Sequence, residues 1–242
     1  MRLLNLIIYS TDVPEYEEMY KIQSEYLKKI GIEHYFIIFS EYMNEMFGEN
    51  VSNVVTYDNI IYIKGSETFI PGILWKTICG IEIFKDRTEF DYIIRSNISE
   101  IVNFDLLSRK LNEVDFDYGG AQYKELTWID PRAGIFDWYY LNLKFVQGNA
   151  IIISNNFKNI IFENINKINF DIIDDVAFGI LYEDLKYKHN LKDVVTFEER
   201  INTDVYEDDI VFYRNKHEER KIDVINMKKI CDEILKKNDL NN

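Results

Sequence analysis

The first forty residues read as strand, helix, strand, and that opening leaves few folds open to the chain. Leu3 to Tyr9 is a mostly apolar run, broken only by Asn5 and halted by Ser10-Thr11-Asp12. It is far shorter than the roughly 20 apolar residues a membrane span needs, and no small-residue cleavage site follows it, so it reads as a β-strand rather than a signal peptide. Pro14 then opens a helix to about Lys29, since proline's fixed φ suits a first helical turn. Tyr16, Met19, Tyr20, Ile22, Tyr26 and Leu27 give that helix an apolar face, and Gly31 ends it. Glu33 to Phe39 is the second strand. Two strands joined by a helix lie parallel through a right-handed crossover, and a parallel sheet buries both faces under helices. The chain is therefore α/β.

The remainder continues the alternation. Ser40 to Asn53 is a loop or short helix, Ile60 to Ile63 a strand, and Pro71-Gly72 leads a helix to about Phe84. Phe90 to Arg95 is a central strand, Asn103 to Leu111 a helix, and Phe116 to Gln122 a strand interrupted by Gly119-Gly120. Leu143 to Val146 and Ala150 to Ile153 are strands parted by Gln147-Gly148-Asn149, and Ser154 caps the helix that follows. Asp174-Asp175 opens a helix to about Tyr187. Short strands Val194 to Phe197 and Ile210 to Tyr213 lead to a basic turn, and an amphipathic helix, Ile222 to Leu235, closes the chain. With three prolines, ten glycines and no shift in composition, the 242 residues read as one domain, 1–242. Its first hundred residues suit a nucleotide-binding half. Residues 101–242, with shorter strands and longer loops, suit a half that receives a second substrate.

Charge narrows the partners. Lys and Arg total 28 against 42 Asp and Glu, a net charge of −14. A nucleic-acid surface needs a positive footprint, which this balance opposes, as it opposes docking on an anionic membrane. A small anion remains open if cations gather locally. Cys79 and Cys231 match no metal spacing and read as free buried thiols of a reducing, cytoplasmic compartment.

Several stretches carry candidate chemistry. The central strand breaks abruptly into Arg95, Ser96, Asn97 and Ser99, and ligands of open α/β sheets bind beyond the carboxyl ends of strands; the plainer reading is a strand followed by a capped turn. Asp174 and Asp175 begin a helix, so one can cap it while the other faces a cleft. Tyr213 to Arg220 packs Arg214, Lys216, His217 and Arg220 into eight residues, beside Glu218 and Glu219 that could offset them. Ser10, Thr11 and Asp12 follow the first strand, where Asp12 can accept from ribose hydroxyls or simply shape a turn. Gly148 and Asn149 mark either a bulge or a close approach of a ligand. Between Tyr123 and Tyr140 aromatic residues, among them Trp128 and Trp138, crowd together without periodicity, as core or as a stacking surface for sugars.

In order and spacing these pieces resemble the GT-A-fold glycosyltransferases of the β-1,3-galactosyl/N-acetylglucosaminyl group that includes Fringe. Ile70 to Thr77 is similar to that family's N-L-T-L-K-T helix start. Phe90 to Ser99 stands where the family has a strand and an acidic D-x-D metal motif. Phe145 to Ser154 resembles its G-x-G-Y-x-x-S turn, and Asp174 to Gly179 its E-D-V-x-x-G segment. The match spans most of the chain from about residue 60, in a tail-less architecture closer to viral or bacterial versions than to membrane-anchored ones. The resemblance implies a GT-A, Rossmann-like fold with a central mostly parallel mixed sheet flanked by helices. It implies transfer from a nucleotide sugar, a UDP-sugar, to a glycan or glycoside acceptor, with inversion. Asp175 would be the base and Asp174 its support. The donor would meet Ser10, Thr11, Asp12, Lys76, Arg95, Ser96, Asn97 and Ser99, with Arg214, Lys216 and Arg220 on the diphosphate; the acceptor would meet Trp128, Trp138, Gly148 and Asn149. The family uses Mn²⁺ or Mg²⁺, but Asn97 and Ser99 replace its carboxylates, and hard dications prefer carboxylate oxygen. Metal-independent transfer, with the basic turn supplying the positive charge, is the corresponding expectation; His217 is the one imidazole near the family's C-terminal metal ligand. Two rivals stand beside this reading: a catalytically weak homologue that binds sugar nucleotides or glycans, and a glycoside hydrolase with two flanking carboxylates.

Overall fold

The computed structural model describes residues 1–241. The opening unit is β1 (Leu3–Ile8), α1 (Pro14–Lys29) and β2 (Glu33–Ser40), followed by α2 (Met43–Phe47), β3 (Val54–Tyr57), β4 (Ile60–Lys64), α3 (Gly72–Ile83) and β5 (Tyr92–Asn97). Next come β6 (Glu100–Val102), α4 (Phe104–Leu111), β7 (Tyr118–Gly120), β8 (Tyr123–Glu125), β9 (Lys144–Val146), β10 (Ala150–Ser154), α5 (Asn155–Glu163) and α6 (Asp174–His189). The chain ends with β11 (Val195–Thr196), β12 (Glu199–Ile201), β13 (Phe212–Arg214) and α7 (Arg220–Asn241).

Eight strands form one sheet in the order β11-β7-β10-β5-β1-β2-β4-β3. Its middle, β5-β1-β2-β4, is parallel. β10 inserts antiparallel between β5 and β7, β3 folds back on β4, and β11 adds a parallel edge. The fold is thus α/β with a mostly parallel mixed sheet flanked by helices, as expected. Alternation along β1 explains the layering. Leu4, Leu6 and Ile8 pack with the apolar faces of α3, α5 and α6. Leu3 and Ile7 pack on the other side with α1, α4 and α7. A second sheet, β12-β13-β6, and a third, β8-β9, stand beyond the carboxyl end of β5. Both cysteines are free and buried. No helix among the described residues is long and apolar enough to cross a membrane.

Three local differences from the sequence reading bear on the site. The central strand begins and ends two residues later than expected. Arg95, Ser96 and Asn97 continue it because they pair with Leu6, Ile7 and Ile8 of β1. Gly119 and Gly120 do not interrupt β7 but end it, where neighbouring strands crowd in. A Cβ on Gly120 would stand 2.1 Å from the Ala150 carbonyl oxygen. The β12-β13-β6 sheet was not anticipated, because three-residue strands are too short to show alternation.

Candidate functional site

A cleft of about 400 Å³ opens beyond the carboxyl ends of β1 and β5. Ser10 and Asp12 enter it from the turn after β1, and Asn97 and Ser99 from the turn after β5. Lys76 comes from α3, and Arg214, Lys216 and Arg220 from the segment joining β13 to α7. Eight of the eleven residues expected on the donor side therefore share one cavity. Thr11 is exposed outside it. Ser96 and Arg95 are buried below it, and strand alternation says why. Arg95 and Asn97 point to one face of the sheet and Ser96 to the other, where its hydroxyl donates to Asn5 Oδ1 (3.0 Å). Ser96 and Arg95 therefore do not line the cleft.

The cations differ in what they already hold. Lys76 is 1% exposed; its ammonium donates to the Tyr9 carbonyl (2.6 Å) and pairs with Glu67 (2.6 Å). Burial lowers its pKa and the Glu67 carboxylate opposes that. Arg220 pairs with Asp223 (2.8 Å), which also takes the His217 ring nitrogen Nδ1 (2.6 Å) and backbone amide (2.9 Å). The offset to the basic turn is thus the fully buried Asp223, not Glu218 or Glu219. The side chains of Arg214 and Lys216 have no hydrogen bond or ion pair among the described residues. The Arg214 charge, then burial, then the charges of Lys124 and Arg220 lower the Lys216 pKa. The two like charges repel each other, and Arg214 is offset only at longer range by the Glu199 and Glu100 carboxyls, so an anion between the two cations would be favourable.

The aspartates lie one layer deeper. Neither caps α6: the N-cap is Ile173, and Asp174 and Asp175 are the first two helical residues, where the helix dipole favours negative charge. Asp174 Oδ2 stands 2.7 Å from Arg95 Nη2, an ion-pair contact outside hydrogen-bond angles. Asp175 accepts from the amides of Gly148 (3.0 Å) and Val176 (2.8 Å). Burial, and next the Asp174 charge, push Asp175 up to about 7, while those amides and Arg95 pull it down. A Cβ on Gly148 would sit 3.1 Å from that of Asp175, so a larger residue there would crowd this contact.

Three features escaped the sequence reading. Gln23 lies between Met19 and Leu27 on the buried face of α1, and its amide donates to the carbonyls of Ile98 (2.6 Å) and Glu100 (3.1 Å). It thereby clamps the turn that carries Asn97 and Ser99. A polar residue at that helical spacing was the available signal. Glu67 was a loop residue with no pattern. Glu100 and Glu199, distant in sequence, meet through Asn149, whose Nδ2 donates to both (2.9 and 2.5 Å); Gln122 also donates to Glu199. Burial, then the Glu199 charge, push Glu100 up to about 8. Asn149 is thus a buried tie between carboxylates rather than an open surface. Glu100 is wholly buried, so this pair does not flank open space as glycoside hydrolysis requires.

The aromatic segment between β8 and β9 reaches the same neighbourhood. The Ile173 amide donates to the Ala133 carbonyl (2.9 Å), docking the segment against the residues that lead into Asp174. Trp128 packs edge-on against Phe145 and is partly exposed, whereas Trp138 is 72% exposed.

The divalent metal implied by the resemblance lacks suitable ligands. Asn97 Oδ1 already accepts from Arg95 (3.0 Å), and His217 is committed to Asp223. Among the described residues no group of three His, Cys, Asp or Glu side chains could hold a metal ion. The residues at this cleft do not fit a hard dication.

No protein-family model matches the chain, and no curated protein matches it. Among solved structures it is similar to a glycosyltransferase involved in the glycosylation of the major capsid of PBCV-1, at 9% identity over 94% of this chain and 99% of that one, TM-score 0.46. It is similar to the galactosyltransferase LgtC in complex with donor and acceptor sugar analogs, at 11% identity over 95% of each chain, TM-score 0.48. It is also similar to the inositol-1-phosphate CTP transferase from T. maritima, at 10% identity over 93% of this chain and 95% of that one, TM-score 0.49. Likenesses this distant assign no chemistry to the chain.

Proposed function

We propose that this chain is a GT-A-type glycosyltransferase that moves a sugar from a nucleoside diphosphate donor, a UDP-sugar, to a glycan or glycoside acceptor. One observation carries the reading: a cleft at the carboxyl end of a parallel sheet holds two unpaired cations, Arg214 and Lys216, in a strongly acidic protein. A diphosphate supplies the matching charge. Asp12 and Ser10, after β1, suit ribose hydroxyls. Arg214 and Lys216 neutralise the diphosphate as it leaves, the task a metal would otherwise perform. Asp175 takes the proton of the attacking hydroxyl, and its position near neutrality suits a general base. Attack from the face opposite the leaving group, with one base, inverts the anomeric carbon. The acceptor reaches Asp175 past Gly148, with Trp128 and Trp138 on the docked aromatic segment available to stack on sugar faces.

One observation favours the second reading, a homologue that binds sugar nucleotides without turnover. Both Asp175 oxygens already accept backbone amides, which favour the carboxylate and so weaken it as a base. Calorimetric titration with UDP, with GDP as control, in EDTA and then in Mn²⁺, tests the donor site. UDP binding that survives EDTA is expected; no binding of either nucleotide in either condition refutes the donor reading. Turnover that is unchanged in Asp175→Asn removes the base assignment.

A further inference from the structure

Arg95 is 1% exposed, yet it touches both the lining of the cleft and the carboxylate pair behind it. Its Nη1 donates to Asn97 Oδ1 (3.0 Å) and to the Gly148 carbonyl, its Nε to Thr77 Oγ1 (3.4 Å), and its Nη2 meets Asp174 (2.7 Å). The planar fork of a guanidinium can serve these directions at once; an ammonium cannot. Gly148 is held on both sides. Its carbonyl faces Arg95 and its amide faces Asp175. Glycine turns freely about the bonds between those two peptide groups, so pinning the carbonyl, together with the flanking Gln147–Gln122 and Asn97–Asn149 backbone bonds, holds the amide on Asp175.

We infer that Arg95 is a positioning residue: by pinning the Gly148 carbonyl and pairing Asp174, it fixes the place and the ionisation of Asp175 relative to the cleft turn at Asn97. The inference rests on the reading of Asp175 as the proton acceptor. It gives Arg95 a different task from Arg214 and Lys216. Drawn into the cleft toward a phosphate, Arg95 would abandon Asp174 in a site sealed from water, which is strongly unfavourable. Its reach is instead mechanical and electrostatic. The charged or titratable groups facing Asp175 are Asp174 on the same helix, Arg95 on β5 and the buried Tyr118 hydroxyl on β7. Of these only Arg95 favours the carboxylate.

The test is a ¹³C carboxyl titration of Asp174 and Asp175 in the wild-type protein, Arg95→Lys and Arg95→Met, with UDP affinity measured in parallel. In Arg95→Met the pair is expected to titrate one pH unit or more higher, and the Gly148 amide to stop following it. Arg95→Lys, which keeps the charge and loses the fork, is expected to move the midpoint less but to free the Gly148 amide equally. UDP affinity changes by less than threefold in both. A purely structural tie lowers the melting temperature and leaves the titration in place, which overturns the inference. If neither variant folds, the wild-type protein decides. The Arg95 Nε–H and Gly148 amide signals must shift with the midpoint of Asp175, and independent midpoints overturn the inference. Absence of UDP binding to the wild-type protein refutes the donor reading instead and leaves the Arg95 result standing.

Discussion

Asp175→Asn is expected to make the protein less sensitive to pH while abolishing turnover. The carboxyl is buried and pushed from 3.8 to about 7, so between those values the folded state binds a proton that the unfolded state has lost. Stability therefore falls as pH rises through that window. Each pH unit inside it corresponds to about 1.4 kcal/mol when one group carries the whole titration. From pH 5 to 7 that is about 3 kcal/mol, and about 2 if Asp174 shares the proton. Glu100, pushed up to about 8, imposes a similar slope on both proteins and cancels in their difference. Asparagine removes the ionisation and loses the acceptor for one amide, a constant loss of about 1 kcal/mol. Urea unfolding at pH 5, 6, 7 and 8 should show the variant below wild type at pH 5, with the gap closing and reversing by about 2–3 kcal/mol in total. Turnover should run the opposite way in the wild-type protein, rising through about pH 7 as the carboxylate forms, and drop about 10²–10⁴-fold in the variant. Parallel stability curves for the two proteins would refute the buried, near-neutral Asp175 on which the base assignment stands.

Glu100→Gln, which copies the neutral acid, should stabilise the fold by about 3 kcal/mol more at pH 9 than at pH 6, because wild-type stability falls by about 1.4 kcal/mol per pH unit until Glu100 itself ionises near 8; denaturant midpoints at the two pH values decide it. Lys216→Gln should weaken UDP binding about tenfold, the loss of one charge-assisted contact of about 1.5 kcal/mol, and flatten its salt dependence in calorimetry. Trp138→Ala should leave the melting temperature and UDP affinity unchanged, because the ring is exposed. It should lower turnover only in the presence of a glycan acceptor, so an equal loss of donor hydrolysis in its absence would contradict an acceptor role.

The β-α-β opening was legible because Pro14, Gly31 and two long apolar runs act locally, and α1 begins and ends where those residues put it. The cleft beyond β1 and β5 was legible for a related reason. In a parallel sheet the residues after β1 and β5 must meet at one end, so Ser10, Asp12, Asn97 and Ser99 could be placed together without knowing any contact. Inside the cleft, legibility ended at side-chain direction. A two-residue shift in the end of β5 turned Ser96 and Asn97 from loop residues into strand residues with opposite faces, and only Asn97 lines the cleft. The Glu100–Asn149–Glu199 contact joins segments 49 and 50 residues apart through strands too short to announce themselves. Aspartates 174 and 175 looked like caps because caps and first-turn residues have the same composition; only the backbone of Ile173 separates the two.

What sorts the cations at this cleft is the partner each already has, and type alone would have misled. Lys76, Arg95 and Arg220 all reach the region, and each is matched by a carboxylate within 2.8 Å: Glu67, Asp174 and Asp223. A matched pair offers an incoming anion little, because the anion must compete with a partner already in place and, for Arg95 and Arg220, draw a cation away from a buried carboxylate. Neither Arg214 nor Lys216 is held in an ion pair among the described residues, although the Arg214 charge acts at longer range on the Glu199 and Glu100 carboxyls. The Arg214 charge is the first cause that lowers the Lys216 pKa, and an anion placed between the two relieves that repulsion as well as adding its own attraction. Binding should therefore draw a proton onto Lys216, so UDP titrations near pH 9, run in two buffers of different ionisation enthalpy, should reveal proton uptake. Uptake that persists in Lys216→Gln would assign the proton to another group and break the argument that these two cations are the ones held in reserve.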